Sequence, residues 1–214
     1  MKTRQLGITD LHLTEIGLGT WAIGGGDWQY GWGPQDEKDS IRTIHEALDL
    51  GINWIDTAPA YGLGLSEEIV GTVLKERSDS PIVATKCSLT WGKERQISNV
   101  LKTDSIRREV EDSLRRLQVD VIDLYQIHWP NPEEDIEEAW TTLAELQGEG
   151  KIRYPGVCNF HKFHLRQAMG IHQVASLQPP YSMLDRRVEQ QILDECLKCN
   201  IGVVVYSPMQ RGML

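Results

Sequence analysis

The sequence predicts a parallel α/β fold built from repeating strand–helix units, and two observations carry that prediction. Short apolar stretches recur every few tens of residues, at 53–56 (NWID), 82–86 (IVATK), 121–127 (VIDLYQI), 153–157 (RYPGV), 175–178 (ASLQ) and 202–206 (GVVVY). Between them, apolar residues fall at helical spacing. The strands are continuously apolar rather than alternating, which suits a parallel sheet covered on both faces. A doubly wound sheet and a closed barrel both satisfy this pattern, and periodicity does not choose between them. A further stretch at 13–17 brings the count to seven strands. A complete (β/α)8 barrel has eight, in about 250 residues, so a barrel reading places the end of the chain just after strand seven.

The elements follow in order. Residues 3–13 contain Gly7 and a turn-like Thr9-Asp10 and are expected to form a small hairpin ahead of the repeat. The stretch 13–17 is expected to be strand one, and Gly24-Gly25-Gly26 begins a long loop rich in tryptophan. Ile41, Ile44 and Leu48 share a helical face, with Gly51 as the stop. Ser66 is the expected N-cap of a helix carrying Ile69, Val70, Val73 and Leu74. Ile106, Val110, Leu114 and Leu117 line another helix. Pro132 suits the first turn of a helix carrying Ile136, Leu143 and Leu146, which is expected to end before Gly148. Neither a linker nor an internal repeat interrupts the chain, so residues 1–214 read as a single domain.

Composition excludes several function classes. The chain is 40% hydrophobic and 25% charged, as in ordinary globular proteins. With 22 basic and 31 acidic side chains its net charge is -9, which argues against a nucleic-acid partner. No apolar run approaches the roughly 18 residues of a membrane span, and the N-terminus lacks the apolar core of a signal peptide. A cytoplasmic location without membrane association is therefore expected. Cys196 and Cys199 form a lone CxxC, but with Val188 and Ile192 they fall on one helical stripe, which points to core packing. No metal site is expected.

In parallel α/β proteins the C-terminal strand ends face the ligand. Those ends carry Asp56 followed by Tyr61, then Lys86, His128, Cys158-Asn159, Gln178 and Tyr206-Ser207. Four of these residues make a chemical unit. A phenol has a pKa near 10 and is a poor acid at neutral pH. A lysine cation at its oxygen lowers that value, and Lys86 is placed to do so. Asp56 supplies the counter-charge that a buried lysine needs. His128 offers a hydrogen bond to the other side of a substrate oxygen. Tyr61 then becomes a general acid aimed at a carbonyl. The complementary hydride cannot come from any side chain, so a nicotinamide cofactor is required.

Ordered motifs across nearly the whole chain resemble those of the aldo-keto reductase family. They are Gly17-Leu18-Gly19-Thr20-Trp21, Asp56-Thr57-Ala58-Pro59-Ala60-Tyr61-Gly62, Ser66-Glu67, Thr85-Lys86, Leu124-Tyr125-Gln126-Ile127-His128-Trp129-Pro130, Gly156-Val157-Cys158-Asn159-Phe160 and Tyr206-Ser207-Pro208. The resemblance implies a (β/α)8 TIM barrel with an N-terminal hairpin, lacking its C-terminal part. It implies the catalytic tetrad Asp56, Tyr61, Lys86 and His128, with Tyr61 as proton donor, and a small carbonyl substrate held by Trp21, Tyr61, His128 and Trp129. It implies NADPH, in preference to NADH, as cofactor. Asn159 and Gln178 would bond the nicotinamide carboxamide, Tyr206 would stack on the ring, and Ser207, Pro208, Met209, Gln210 and Gly212 would lie along the pyrophosphate. Gly19, Thr20, Trp21, Asp56, Cys158 and Leu214 complete the implied cofactor set. The family usually carries a serine at the position of Cys158, and a thiol is the weaker donor. Its 2′-phosphate site falls beyond Leu214.

Overall fold

Seven parallel strands form one sheet in strict chain order. In the computed structural model, which describes all 214 residues, these are β3 (Leu18–Gly19), β4 (Trp54–Asp56), β5 (Ile82–Cys87), β8 (Ile122–Ile127), β9 (Ile152–Cys158), β10 (Ser176–Gln178) and β11 (Gly202–Val203). Each strand pairs with the next in sequence, so the order never reverses as it does in a doubly wound sheet. The sheet is that of an incomplete (β/α)8 barrel. Helices α1 (Glu37–Asp49), α2 (Leu65–Glu76), α3 (Thr103–Leu117), α4 (Ile136–Gly148), α5 (Lys162–Met169) and α6 (Ile192–Lys198) alternate with the strands. No helix is long and apolar enough to cross a membrane.

Two hairpins stand outside the repeat. The first pairs β1 (Thr3–Gln5) with β2 (His12–Thr14) at the N-terminal ends of the barrel strands. Its Leu6, Leu11 and Leu13 bury themselves against Trp54, Ala84, Leu124 and Val204. Gly7 makes that contact possible: its φ is +52°, and a Cβ there would lie 2.4 Å from the Gly202 nitrogen. The second hairpin, β6 (Leu89–Trp91) with β7 (Ile97–Asn99), rises from the opposite rim, just after Lys86. The sequence reading did not anticipate it, because its strands are three residues each.

The main core lies between sheet and helices. Ile44, Ile55, Val70, Val73, Ile106, Val110, Leu143 and Leu146 are completely inaccessible, and burial of each such side chain contributes about 1.5–3 kcal/mol. Asp36 caps α1 by accepting from the Asp39 amide, and Gly51, at φ +92°, follows it as expected. Cys196 packs in the core, with Cys199 at its edge.

Four expectations need correction. Strand one is Leu18–Gly19 rather than 13–17; Leu13 is committed to the hairpin, and Gly17 must pass Trp54, whose ring would lie 2.1 Å from a Cβ there. Strand seven ends at Val203, and Tyr206 makes only an isolated bridge with Pro180. The cap of α2 is Gly64, not Ser66; the Ser66 hydroxyl lies inside the protein, bonded to Thr20 and Thr57. Gly148 is the last residue of α4, and Pro132 leads into it through a 3-10 turn at Glu133–Asp135.

One buried ion pair fixes the helix that carries the tyrosine loop. Glu67 is wholly inaccessible and accepts from Thr85 Oγ1 at 2.5 Å and from Arg116 Nε at 2.7 Å. Gly71 lets α2 and α3 approach this closely, since a Cβ there would lie 2.2 Å from the Arg116 carbonyl oxygen. Removing one partner strands a buried charge. Arg116→Met is therefore expected to cost about 3 kcal/mol or more in urea unfolding; a loss below about 0.5 kcal/mol, the range of ordinary surface substitutions, would contradict this role.

Candidate active site

Register brings the polar residues together. Asp56 ends β4 and pairs with Ala84 of β5, two residues before Lys86. Lys86 pairs with Gln126 of β8, so His128 follows on the same rim. Tyr61 lies in the turn between β4 and α2. Gly62, at φ +67°, and Gly64, at φ +104°, bend the chain back there.

The ammonium of Lys86 is 1% exposed and has three partners, which match its three protons. It donates to Asp56 Oδ2 at 2.7 Å, to the Thr57 carbonyl at 2.8 Å and to the Tyr61 hydroxyl at 3.3 Å. Burial opposes its charge, but Asp56 and Tyr61 outweigh burial and hold its pKa above the ordinary lysine value. The other Asp56 oxygen accepts from Gln178 Nε2 at 2.9 Å and more distantly from Gln126 Nε2 at 3.5 Å.

Tyr61 corrects one expectation. Its pKa is pushed up to about 12, because burial outweighs the lowering by Lys86. The lysine offsets part of the burial cost and does not bring the phenol below its ordinary value. The His128 ring meets Tyr61 edge-on at 5.9 Å. Burial, with Lys86 in second place, pushes the His128 pKa well below the usual imidazole value, so the ring is neutral. Its Nδ1 is buried without a protein partner. A neutral imidazole has one donor and one acceptor nitrogen.

A broad cavity runs from this group to the N-terminal hairpin at Leu6 and Leu13. Its walls include Gly19, Thr20, Trp21, Asp56, Tyr61, His128, Trp129, Asn159, Gln178, Tyr206, Ser207, Pro208, Met209 and Gly212. The implied catalytic, cofactor and substrate residues line this cavity, with four exceptions. Lys86 sits behind Tyr61. Cys158 lies beneath the floor, its thiol 3.6 Å from Gln126 Oε1 and 3.8 Å from Gln178 Oε1. Gln210 accepts from the Ser182 hydroxyl, and Leu214 lies outside the wall. Asn159, at φ +60°, donates to the His128 carbonyl at 3.0 Å and accepts from the Tyr206 hydroxyl at 2.8 Å, which pins Tyr206 to the rim.

The profile of the aldo/keto reductase family matches residues 15–214. The chain belongs to that family. Among its relatives, aldo-keto reductase YhdN of Bacillus subtilis is 44% identical over 216 residues, a match covering 100% of this chain and 64% of that protein. The NADH-specific methylglyoxal reductase of Escherichia coli is 42% identical over 228 residues, covering 100% and 69%. The solved structure of the glycerol dehydrogenase AKR11B4 from Gluconobacter oxydans superposes with a TM-score of 0.92 at 44% identity, covering 100% of this chain and 65% of that one. The chain thus spans about two thirds of the length of these reductases and dehydrogenases.

Several site contacts had no strong sequence signal. The Thr57 carbonyl is backbone and carries none. Gln126 has a weak one: it is a buried amide in a strand whose residues at 122, 124 and 127 are apolar. Arg211, in the loop 207–212, has its guanidinium 5.5 Å over the Trp21 ring. As an aldo/keto reductase with cysteine in place of the usual serine, this chain holds that thiol in a buried position, and burial drives the Cys158 pKa upward despite Lys86. Thiolate is the reactive form. Iodoacetamide at pH 8 is therefore expected to label Cys199, the one cysteine not fully buried, well ahead of Cys158. Fast labelling of Cys158 in the folded protein would contradict the buried placement.

Proposed function

We propose that the protein reduces aldehydes or ketones to alcohols, with Tyr61 as proton donor and a nicotinamide dinucleotide as hydride source. The observation that carries this reading is the set of contacts at Lys86. Its ammonium is shared between Asp56 and the hydroxyl of Tyr61, and that hydroxyl faces the cavity. When bound, the nicotinamide supplies a hydride to the carbonyl carbon, and the carbonyl oxygen then needs a proton. Tyr61 gives its proton to that oxygen, and Lys86 stabilises the phenolate left behind until solvent restores the proton. His128, neutral, is a hydrogen-bonding group for the same oxygen and adds no competing charge.

The residues present fit a nicotinamide. The amide N–H of Gln178 is held by Asp56, which leaves its oxygen, approached from below by the Cys158 thiol at 3.8 Å, with a second lone pair as an acceptor for a carboxamide. Tyr206 offers a flat face, and stacking on such a ring contributes about 0.5–1.5 kcal/mol beyond burial. These residues would meet the nicotinamide half, which NADH and NADPH share. The preference for NADPH rests on the family resemblance alone, and one relative is named as NADH-specific.

Tyr61→Phe is expected to lower carbonyl reduction by about 10²- to 10⁴-fold while cofactor affinity, read by quenching of tryptophan fluorescence, stays within about twofold. Reduction at the wild-type rate would remove Tyr61 from the role of acid. Lys86→Met is expected to be comparably severe and to displace the pH profile of kcat, because the phenolate loses its cation; an unaltered profile would remove the coupling between the two residues.

A further inference from the structure

The loop that follows β3 and the β6–β7 hairpin meet over the cavity mouth. Arg95 sits at the hairpin tip with φ +60°, its amide bonded to the Gly92 carbonyl at 2.9 Å. No carboxylate pairs with Arg95. Its Nη2 donates instead to the Asp27 carbonyl at 2.6 Å, across 68 residues of sequence. A second contact, from the Ile97 amide to Gln29 Oε1 at 3.4 Å, flanks the first. Between Asp27 and Gln29 lies Trp28.

Trp28 is fixed from three sides. Its Nε1 donates to the Gly25 carbonyl at 3.1 Å. Its ring lies 6.1 Å from that of Tyr61 and 5.9 Å from that of Tyr30. The loop's other anchor is Gly24, which sits on the tyrosine turn so closely that a Cβ would lie 2.5 Å from the Gly62 nitrogen. From Gly24 to the Arg95 contact the loop therefore has little freedom, and its indole lines the same cavity as Trp129. Trp21, Tyr30, Leu89 and Ile97 line the same cavity, and the Arg211 guanidinium lies 5.5 Å over the Trp21 ring.

We propose that Trp28 is a specificity-determining residue of the substrate site and that Arg95 is the positioning residue that holds it. The indole then limits the width of the carbonyl compound that reaches Tyr61 and favours thin, flat ones. This rests on the carbonyl-reductase reading above. Neither residue belongs to the proton-transfer group, so both act on which substrate reaches Tyr61. Binding and turnover then respond differently: a freed indole lowers the fit of a thin substrate and admits a wider one.

The test compares kcat and KM for benzaldehyde and 1-naphthaldehyde in the intact wild type, Arg95→Ala, Arg95→Lys, Trp28→Ala and the Arg95→Ala/Trp28→Ala double variant. Trp28→Ala is expected to shift the preference for benzaldehyde over naphthaldehyde by about tenfold, the scale of a lost apolar contact in a pocket. Arg95→Ala should move it in the same direction by about threefold or more, through KM, and Arg95→Lys should restore most of it. The double variant should match Trp28→Ala, because residues acting through one another are not additive. Hydrogen exchange supplies a readout without turnover: amides of residues 24–33 should exchange faster in Arg95→Ala and not in Arg95→Lys. An unmoved preference with unmoved exchange in Arg95→Ala, or full additivity in the double variant, would overturn the proposal while leaving the reductase reading intact. A wild type that reduces neither aldehyde would overturn both.

Discussion

The contact between Lys86 and Asp56 is the constraint on which the site depends. A lysine with 1% exposure cannot stay charged without a partner, and under the proposed mechanism a charged lysine is what Tyr61 requires. The pair is buried, so its net contribution to stability is small or even negative. Its value lies in placement. The ammonium is tied by two short bonds, to a carboxylate and to a backbone carbonyl, and has one remaining direction, toward the phenol. That direction is set by sheet register, since Asp56 and Lys86 stand on neighbouring strands at a fixed offset.

Much of the surrounding architecture keeps that geometry. Glu67 joins α2 to Thr85, the residue before Lys86, and joins α2 to α3 through Arg116. Ser66 and Thr20 tie the start of the same helix to the first barrel strand. Asp56 is held by a second strand through Gln178, which in turn fixes which end of that amide faces the cavity. Asp56 therefore sets both the charge beside the Tyr61 hydroxyl and the hydrogen-bonding polarity of the Gln178 amide. The loops above rest on this layer, Gly24 on the tyrosine turn and Trp28 beside the Tyr61 ring, in a fold whose strand ends and following loops build the site.

The chain of strands and helices was legible because buried parallel strands are continuously apolar and the helices between them are amphipathic. Strict chain order was not legible, because barrel and doubly wound sheets share the same local pattern; register settled it. Errors clustered where local signals competed with tertiary contacts. Leu13 reads as the start of a strand but serves the hairpin beneath the barrel. Ser66 reads as a cap, yet its hydroxyl is used to join Thr20 and Thr57. The four polar residues at the rim were found by strand-end reasoning, but the balance at Tyr61 was not, since burial depends on what surrounds the ring and not on its neighbours in sequence. The β6–β7 hairpin escaped because its strands are shorter than a periodicity window.

The most direct test of the Lys86–Tyr61 unit is a double-mutant cycle on kcat/KM with benzaldehyde, using wild type, Tyr61→Phe, Lys86→Met and the combined variant. If Lys86 acts through the phenol, the combined variant should lose no more than about threefold beyond the worse single one, because residues working as one unit are strongly non-additive. A combined loss equal to the product of the two single losses would contradict the dependence of Tyr61 on Lys86.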